Sequence, residues 1–219
     1  MAKLAAAERA VLDAMVARRP DLEECVEGLL AVHGALVRVY DGGGKLLLCG
    51  NGGSHADAMH IAGELCKSFE RKRPIPAATA KRFKGLPHGD DLRWHLEAGL
   101  PAITLGLNGS LKTAVENDSP LRDMAFAQEA FALAKNTDLL LALSTSGNAQ
   151  NCLMAMTAVK ALGASTVAFT GPKGGHMAEA ADIAIKAPGD STKVIQEAHI
   201  VLYHTCCAMI EAHYFPSPR

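Results

Sequence analysis

The amino-acid sequence predicts an α/β protein built on a three-layer, doubly wound parallel sheet. Short apolar segments alternate with longer amphipathic segments from residue 45 to the end of the chain. Two of the apolar segments end in turns rich in glycine and serine, which is how a parallel strand commonly leads into a helix. The 219 residues are 49% hydrophobic and 21% charged, which fits one large domain with a sizeable core.

Two amphipathic helices are predicted before the first strand, at residues 3–18 and 21–40. Their apolar side chains recur at intervals of about 3.6 residues. Acidic residues occupy the first turn of the second helix, where the helix dipole favours negative charge. The glycines that follow Asp41 end this helix, so we assign residues 1–43 to an N-terminal helical part.

The rest of the chain alternates between predicted strands and helices. The strands are short, continuous apolar runs, as expected for a parallel sheet that is covered on both faces. We predict them at residues 45–50, 102–107, 138–147 (including a polar turn), 165–171 and 182–188. We predict helices at residues 54–69, 110–118, 121–134, 149–163, 174–181 and 192–215. The last of these is a long C-terminal helix.

A polar segment at residues 71–101 interrupts the alternation. It carries several prolines, which are incompatible with helix interiors, so we predict an irregular structure with one helix near residues 90–98. Trp94 is the only tryptophan of the chain, and we expect its side chain to anchor the segment to the domain.

Composition and charge exclude several classes of protein. The formal net charge is −1, with no basic stripe of the kind that binds nucleic acid. The apolar runs are far shorter than the ~20 residues that span a membrane, and Glu8 and Arg9 interrupt the N-terminal stretch that a signal peptide would need. The six cysteines are scattered without C-x-x-C spacing. We therefore expect free core thiols and a cytoplasmic protein.

The two glycine- and serine-rich turns are the first candidates for a binding site. Residues 50–54, GNGGS, combine close backbone approach with the free N–H groups of a helix N-terminus, which favours an anion. His55 occupies the position of the third glycine of a dinucleotide fingerprint, so that reading is disfavoured. Residues 144–148, STSGN, offer three hydroxyls for a phosphate monoester. Alternatively, each turn only caps a helix.

His60 and Glu64 are the second candidates, because they lie four residues apart and therefore share one helix face. Such a pair supplies two metal ligands, or a base with its partner. The alternative is a solvated ion pair without function. Gln196, Glu197, His199 and His204 interrupt an otherwise apolar terminal helix, which also indicates a site.

Four separated motifs together resemble the sugar isomerase (SIS) domain, and within it the phosphoheptose isomerase family. They are CGNGGSHADAMHIAGEL, LSTSGN, TGPKGG and IQEAHIVLYH. The resemblance implies one SIS domain over residues 1–219, with the flavodoxin-like arrangement of the sheet. It covers nearly the whole chain apart from residues 77–100, which we interpret as an insertion that forms a lid or an interface element.

The resemblance also implies an activity, a cofactor and an assembly. The family converts sedoheptulose 7-phosphate to D-glycero-D-manno-heptose 7-phosphate through an enediol. Its members are homotetramers with sites between subunits and one zinc ion per subunit. Glu64 would move the proton between C1 and C2, and His204 would act as the acid at the carbonyl oxygen.

Further roles are carried over by residue. Substrate contacts are implied for Asn51, Gly52, Gly53, Ser54, Asn108, Ser144, Thr145, Ser146 and Gln196. Zinc ligands are implied at His60, Glu64, Gln196 and His204. Gln196 and His204 are eight residues apart, about 12 Å along a regular helix, so both reach one ion only if their side chains converge.

This chain departs from the family pattern at four positions near the implied site. It has Asn108 and Lys193 where the family has aspartate, Ser68 in place of an arginine, and Ala149 in place of a serine. These changes bear on which sugar is used more than on the type of reaction.

Two other functions compete with the isomerase. One is a non-catalytic relative that binds the replication initiator, and the presence of both Glu64 and His204 argues against it. The other is a phosphosugar-sensing or lyase-type SIS protein that acts on or binds another sugar phosphate. Those proteins usually carry a DNA-binding module or a second SIS domain, for which this chain has no room.

Overall fold

The computed structural model describes residues 4–216, in which strands and helices alternate as the sequence predicts. The strands are β1 (Leu46–Gly50), β2 (Ala102–Thr104), β3 (Leu139–Ser144), β4 (Ser165–Thr170) and β5 (Ile183–Lys186). The helices are α1 (Ala6–Arg18), α2 (Val26–Asp41), α3 (Gly53–Cys66), α4 (Ala77–Lys81), α5 (Gly89–His95), α6 (Gly109–Asp118), α7 (Ala125–Leu133), α8 (Gln150–Ala161), α9 (Gly175–Ala180) and α10 (Thr192–Tyr214).

The five strands form one parallel sheet in the order β2-β1-β3-β4-β5. Alternate side chains of β1 point to opposite faces, so Leu46 and Leu48 belong to one core cluster and Leu47 and Cys49 to the other. The first cluster includes side chains from α1, α2, α3 and α10, and the second from α7, α8 and α9. This confirms the three-layer, doubly wound fold with the flavodoxin-like strand order.

Element boundaries differ from the predictions in a few places. The second predicted helix is divided, because Pro20–Cys25 forms a 3-10 turn before α2 begins. β2 has only three residues, since Gly106 then turns the chain with a φ of +87°. Gly163 has a φ of +81°, which confirms that it ends α8 in the left-handed conformation.

The 71–101 segment contains two short helices, α4 and α5, where one was predicted. The insertion at residues 77–100 leaves and returns beside the end of α3, because Pro74 and Glu97 form an antiparallel bridge. The expectation that Trp94 anchors the segment is wrong, since its side chain is 76% exposed and stacks only on the guanidinium of Arg93 among the described residues. The insertion thus presents apolar surface to solvent.

A buried ion pair fixes the chain between α3 and this insertion. The side chains of Arg73 and Glu211 are fully buried, with Nε and Oε1 2.7 Å apart. The Glu211 carboxylate also accepts the backbone N–H groups of residues 69–71. Arg73 donates to the carbonyls of Glu64 and Leu65 at the end of α3. The pair therefore ties the C-terminal end of α3 to α10.

Within residues 4–216, no helix combines the length and the hydropathy that crossing a membrane requires. The six cysteines are all free thiols, and Cys66 alone among them is exposed.

Candidate active site

The two glycine- and serine-rich turns lie side by side at the carboxyl edge of the sheet. Gly50, the last residue of β1, is paired in register with Leu143 of β3. The strand order reverses between β1 and β3, and such a switch point is where open α/β sheets bind ligands. The carboxamides of Asn51 and Asn151 are joined by hydrogen bonds of 2.9 Å, which link the first turn to the start of α8.

The first turn leads into α3 with little side-chain cover. Gly52 has a φ of +55°, a conformation that favours glycine. Asn51, Gly52 and Gly53 are exposed, whereas Ser54 is buried. A Cβ on Gly53 would lie 2.5 Å from Nε2 of Gln196, so the Gln196 amide closes over this turn. The structure therefore brings Gln196 to the predicted substrate turn.

The second turn presents hydroxyls at the same edge. Ser144 Oγ lies 3.4 Å from Ser146 Oγ, and Ser146 Oγ accepts the backbone N–H of Asn148. Gly147 has a φ of +67°, and a Cβ there would meet the carbonyl oxygen of Gly174 at 1.8 Å. Glycine is therefore required where this turn approaches the loop before α9. Thr145 is partly exposed beside the two serines.

His60, Glu64 and His204 come together between α3 and α10. His60 Nε2 lies 3.1 Å from Glu64 Oε1 and 3.5 Å from His204 Nε2. The rings of His60 and His204 are nearly perpendicular, with centroids 4.8 Å apart. Burial and the neighbouring His60 lower the pKa of His204, which favours its neutral imidazole.

Two residues that the sequence interpretation did not select hold His60 in place. The Tyr203 hydroxyl donates to Asp57 Oδ1 and lies 3.0 Å from Nδ1 of His60. The Nδ1 atom of His60 thus faces the Tyr203 hydroxyl, and its Nε2 atom faces Glu64 and His204. Asp57 precedes His60 by three residues on α3, so helical spacing alone indicates that they are neighbours.

Three of the four predicted zinc ligands, His60, Glu64 and His204, lie together and have side chains that suit a divalent cation. Nε2 of His60 lies beside a carboxylate and a second imidazole, which are ligand types that divalent cations such as zinc accept. The bond from Tyr203 to Nδ1 is the outer contact that commonly orients a metal-binding histidine. Among the described hydrogen bonds none joins Gln196 to the three, so its part in the ligand set remains a prediction.

A cleft of about 640 Å³ reaches this cluster from the side of α1. It lies between α1, residues 69–71 and α10, and His204 and Arg18 form part of its wall. His199, by contrast, is fully buried and bonds the backbone carbonyl of Thr170, so it serves the core rather than the site.

Comparison with known proteins identifies the family. Two models of the SIS domain match the chain, at residues 12–91 and at residues 121–214. A phosphoheptose isomerase of Roseiflexus sp. (strain RS-1) is 35% identical over 198 residues, which cover 90% of this chain and 88% of that protein. The chain belongs to the phosphoheptose isomerase family. Another member, from Burkholderia pseudomallei (strain K96243), is 39% identical over 173 residues, 79% of this chain and 75% of its own length.

Solved structures of phosphoheptose isomerases have the same fold. The enzyme from Francisella tularensis superposes with a TM-score of 0.72 at 27% identity, covering 92% of this chain and 95% of its own. The enzyme from Neisseria gonorrhoeae gives a TM-score of 0.69 at 29% identity, covering 92% and 96%. The SIS architecture inferred from the motifs is thereby confirmed over nearly the whole chain.

Of the four departures from the phosphoheptose isomerase pattern, Asn108 and Ser68 make hydrogen bonds that have structural roles, whereas Ala149 and Lys193 do not. Asn108 caps α6, with its Oδ1 accepting the N–H of Leu111. Ser68 bonds Glu97 through its backbone N–H and its hydroxyl, which fastens the insertion to the end of α3. Ala149 stands at the N-cap of α8 and provides no side-chain cap. Lys193 is exposed in the first turn of α10.

Proposed function

We propose that this protein is an aldose–ketose isomerase that converts sedoheptulose 7-phosphate to D-glycero-D-manno-heptose 7-phosphate. The observation that carries the proposal is that Glu64 and His204 both contact His60. His60 and Glu64 lie on α3, whose N-terminal turn is suited to an anion. The curated members of the family that match the chain bear the name phosphoheptose isomerase.

Substrate binding is assigned to the two turns. The hydroxyls of Ser144, Thr145 and Ser146 and the amides around them would hold the phosphate group, since a phosphate needs several convergent donors. The sugar would contact the first turn, formed by Asn51, Gly52, Gly53 and Ser54. Asn108 and Gln196 would add hydrogen bonds to sugar hydroxyls, and the position of Gln196 over Gly53 supports its assignment.

Proton transfer is assigned to Glu64 and His204. The Glu64 carboxylate would take the proton from C1 of the ketose and return it to C2, which passes through an enediol. His204 would donate a proton to the carbonyl oxygen at C2 and accept one from the hydroxyl at C1. This division needs a base and a neutral donor within reach of the same two carbons. The partly buried carboxylate of Glu64 and the low pKa of His204 suit these tasks.

Zinc is the proposed cofactor, one ion per subunit, held by His60, Glu64, Gln196 and His204. A bound Zn²⁺ would supply Lewis acidity that polarises the substrate carbonyl. The chain itself orients His60 through Tyr203 and Asp57, and it positions the end of α3 through Arg73. Imidazole and carboxylate donors match the ligand preference of zinc.

We also propose a cytoplasmic homotetramer with sites between subunits. Gly53 of the proposed sugar turn and the proposed base Glu64 are eleven residues apart, about 16 Å along α3. A sugar that contacts both turns of one subunit therefore lies far from Glu64 of that subunit, which favours sites completed by a neighbour. The apolar surface of the 77–100 insertion supports its role as a lid or an interface element.

A second candidate is an isomerase of the same type for another sugar phosphate. It is favoured by Ala149 and Asn108, which alter contacts that the family directs to the phosphate and to a substrate hydroxyl. A non-catalytic relative that binds the replication initiator is disfavoured, because the described geometry retains the Glu64–His60–His204 contacts.

The test is to incubate the purified protein with sedoheptulose 7-phosphate in D₂O and to record NMR spectra. The expected result is formation of the aldose with deuterium at C2, loss of the reaction on chelation, and recovery with Zn²⁺. If the reaction continues at the same rate after a chelator is added, the proposal that zinc is the cofactor is wrong. If no product forms while sugar phosphates raise the melting temperature, the substrate assignment is wrong and other sugar phosphates become the candidates.

A further inference from the structure

A second group of histidine and carboxylate side chains lies away from the proposed active site, among α1, α2 and α10. It consists of Glu8, His33 and His213, whose ligand atoms all lie within 4.8 Å of one another. Within residues 4–216 this is the one set of three or more such residues that meets that distance. His213 follows His204 by nine residues, about 13 Å along α10, so the two groups are separate.

The possible metal-ligand atoms of this triad lie close to one another. Glu8 Oε1 lies 2.6 Å from Nδ1 of His213 and 3.5 Å from Nε2 of His33. The two imidazole rings meet edge to face, with centroids 5.8 Å apart. Four-coordinate zinc with bonds of about 2.1 Å places its ligand atoms about 3.4 Å apart. The two separations of Glu8 Oε1 from the histidine nitrogens, 2.6 Å and 3.5 Å, lie on either side of this value.

One nitrogen of the triad is buried and has no hydrogen-bond partner in the described structure. His33 is 5% exposed, and its Nε2 is without a partner although it faces Glu8. The backbone of Met209 also approaches the ring. A backbone carbonyl beside a ring nitrogen is a common way in which a metal-binding histidine is oriented. An unpaired buried nitrogen costs free energy, and a ligand that accepts its lone pair would remove that cost.

The buried negative charge of Glu8 also favours a bound cation. Its side chain is 3% exposed, and its ionic contacts within the described residues are with the two histidines. The Glu8 Oε2 atom accepts the backbone N–H of Ala5, which leaves Oε1 directed into the triad. A buried carboxylate is stable only with a proton, a cation or a metal beside it. The side chain of His213 is 35% exposed, so an ion has a path from solvent.

We propose that Glu8, His33 and His213 form a zinc-type metal site that joins α1, α2 and α10. Two imidazoles and one carboxylate are a known ligand set for zinc with one position left open. The site is independent of the proposed catalytic cluster and of the proposed isomerase activity. Its bound ion would fasten α1, which walls the cleft that leads to His204.

The experiment measures Zn²⁺ binding by chelator-stripped protein in which the catalytic cluster has been disabled by His60→Gln and His204→Gln. This background is expected to bind one Zn²⁺ per chain in a titration against a chromophoric chelator, and Zn²⁺ is expected to raise its melting temperature. Adding His213→Gln, or separately Glu8→Gln, is expected to weaken binding by at least about tenfold and to abolish the thermal shift.

A surface pair of the same residue types provides the matched control. His176 and Glu179 lie 3.5 Å apart on α9 with both side chains largely exposed, so His176→Gln should leave Zn²⁺ binding unchanged. Circular dichroism without metal shows whether each variant folds, and the exposed position of His213 makes its variant the more tolerant of the two. A background that binds no Zn²⁺, or that binds it equally with His213→Gln, would overturn the proposal.

Discussion

Two clusters of histidine and carboxylate side chains in this chain differ in how the sequence encodes them. His60 and Glu64 lie four residues apart on α3, so one helix turn brings them together. Glu8 and His213 are separated by 205 residues and meet only when α1 packs on α10. The first pair is visible in the sequence as a spacing, whereas the second is a product of tertiary structure.

The two clusters also differ in exposure, and the difference separates chemistry from stability. The side chains of His60 and Glu64 are 41% and 13% exposed, whereas those of His33 and Glu8 are 6% and 3% exposed. Charged groups in contact with water contribute little to stability, and buried ones contribute much more when a partner is removed. Substitutions in the first cluster should therefore affect turnover, and those in the second should affect folding.

The largest effect is expected for Glu64→Gln. The amide cannot accept the substrate proton, so kcat should fall by about 10²–10⁴-fold while the sugar phosphate still binds. Turnover is measured by NMR and binding by calorimetry. The exposed Glu179→Gln on α9 is the matched control and should retain activity. An active Glu64→Gln enzyme would contradict the base assignment.

Arg73→Met should give the next largest effect, because it breaks the ion pair that connects α3 to α10. Removing one partner of a fully buried pair leaves the other charge uncompensated, at a cost of about 3–5 kcal/mol in the free energy of unfolding. Urea denaturation measures the loss. Glu211→Gln should cost a similar amount, since three backbone N–H groups also depend on that carboxylate. A loss below about 1 kcal/mol would show that the pair does not hold this junction.

The fold was predictable because its signals are local. Each strand is a short apolar run, and the turns after β1 and β3 carry the glycines that their backbone angles require at Gly52 and Gly147. Since parallel strands end at one edge, the meeting of the two turns also followed from the sequence. The boundary of α2 did not, because the 3-10 turn at Pro20–Cys25 depends on packing as well as on proline.

The supporting residues of the site were not predictable in the same way. Tyr203 lies directly before His204 and reads as one more apolar position of α10, yet its hydroxyl orients His60. Arg73 lies in a polar, proline-bearing segment where burial is unexpected, and its partner is 138 residues away. Trp94 illustrates the opposite error, since a large aromatic side chain suggests burial but is exposed here. Long-range pairing and exposure are decided by packing, which composition does not show.

Glu8→Gln tests the buried cluster without metal and should have an intermediate effect. A charge-assisted hydrogen bond to His213 becomes a neutral one, so the free energy of unfolding should fall by about 1–3 kcal/mol in the presence of a chelator. The same measurement on Glu64→Gln should show less than about 1 kcal/mol, because its partners His60 and Lys67 are exposed side chains of the same helix. An equal loss in the free energy of unfolding for Glu8→Gln and Glu64→Gln would contradict the view that only the buried cluster contributes to stability.

The smallest effect is expected for Ala149→Ser, which restores the family's serine beside the second turn. Ala149 occupies the N-cap of α8 in an extended conformation, and its side chain accepts none of the free N–H groups of the helix, of which Asn151 Oδ1 already accepts that of Cys152. A serine hydroxyl would accept one of them and stabilise the protein by about 0.5–1 kcal/mol.

The new hydroxyl of Ala149→Ser would also add a donor near Ser144 and Ser146, so a sugar phosphate should bind more tightly. Thermal melts with and without ligand separate the two contributions, and Ala149→Val, which has the bulk of a side chain but no hydroxyl, should produce neither. Tighter binding without stabilisation would show that the hydroxyl faces the phosphate rather than the helix.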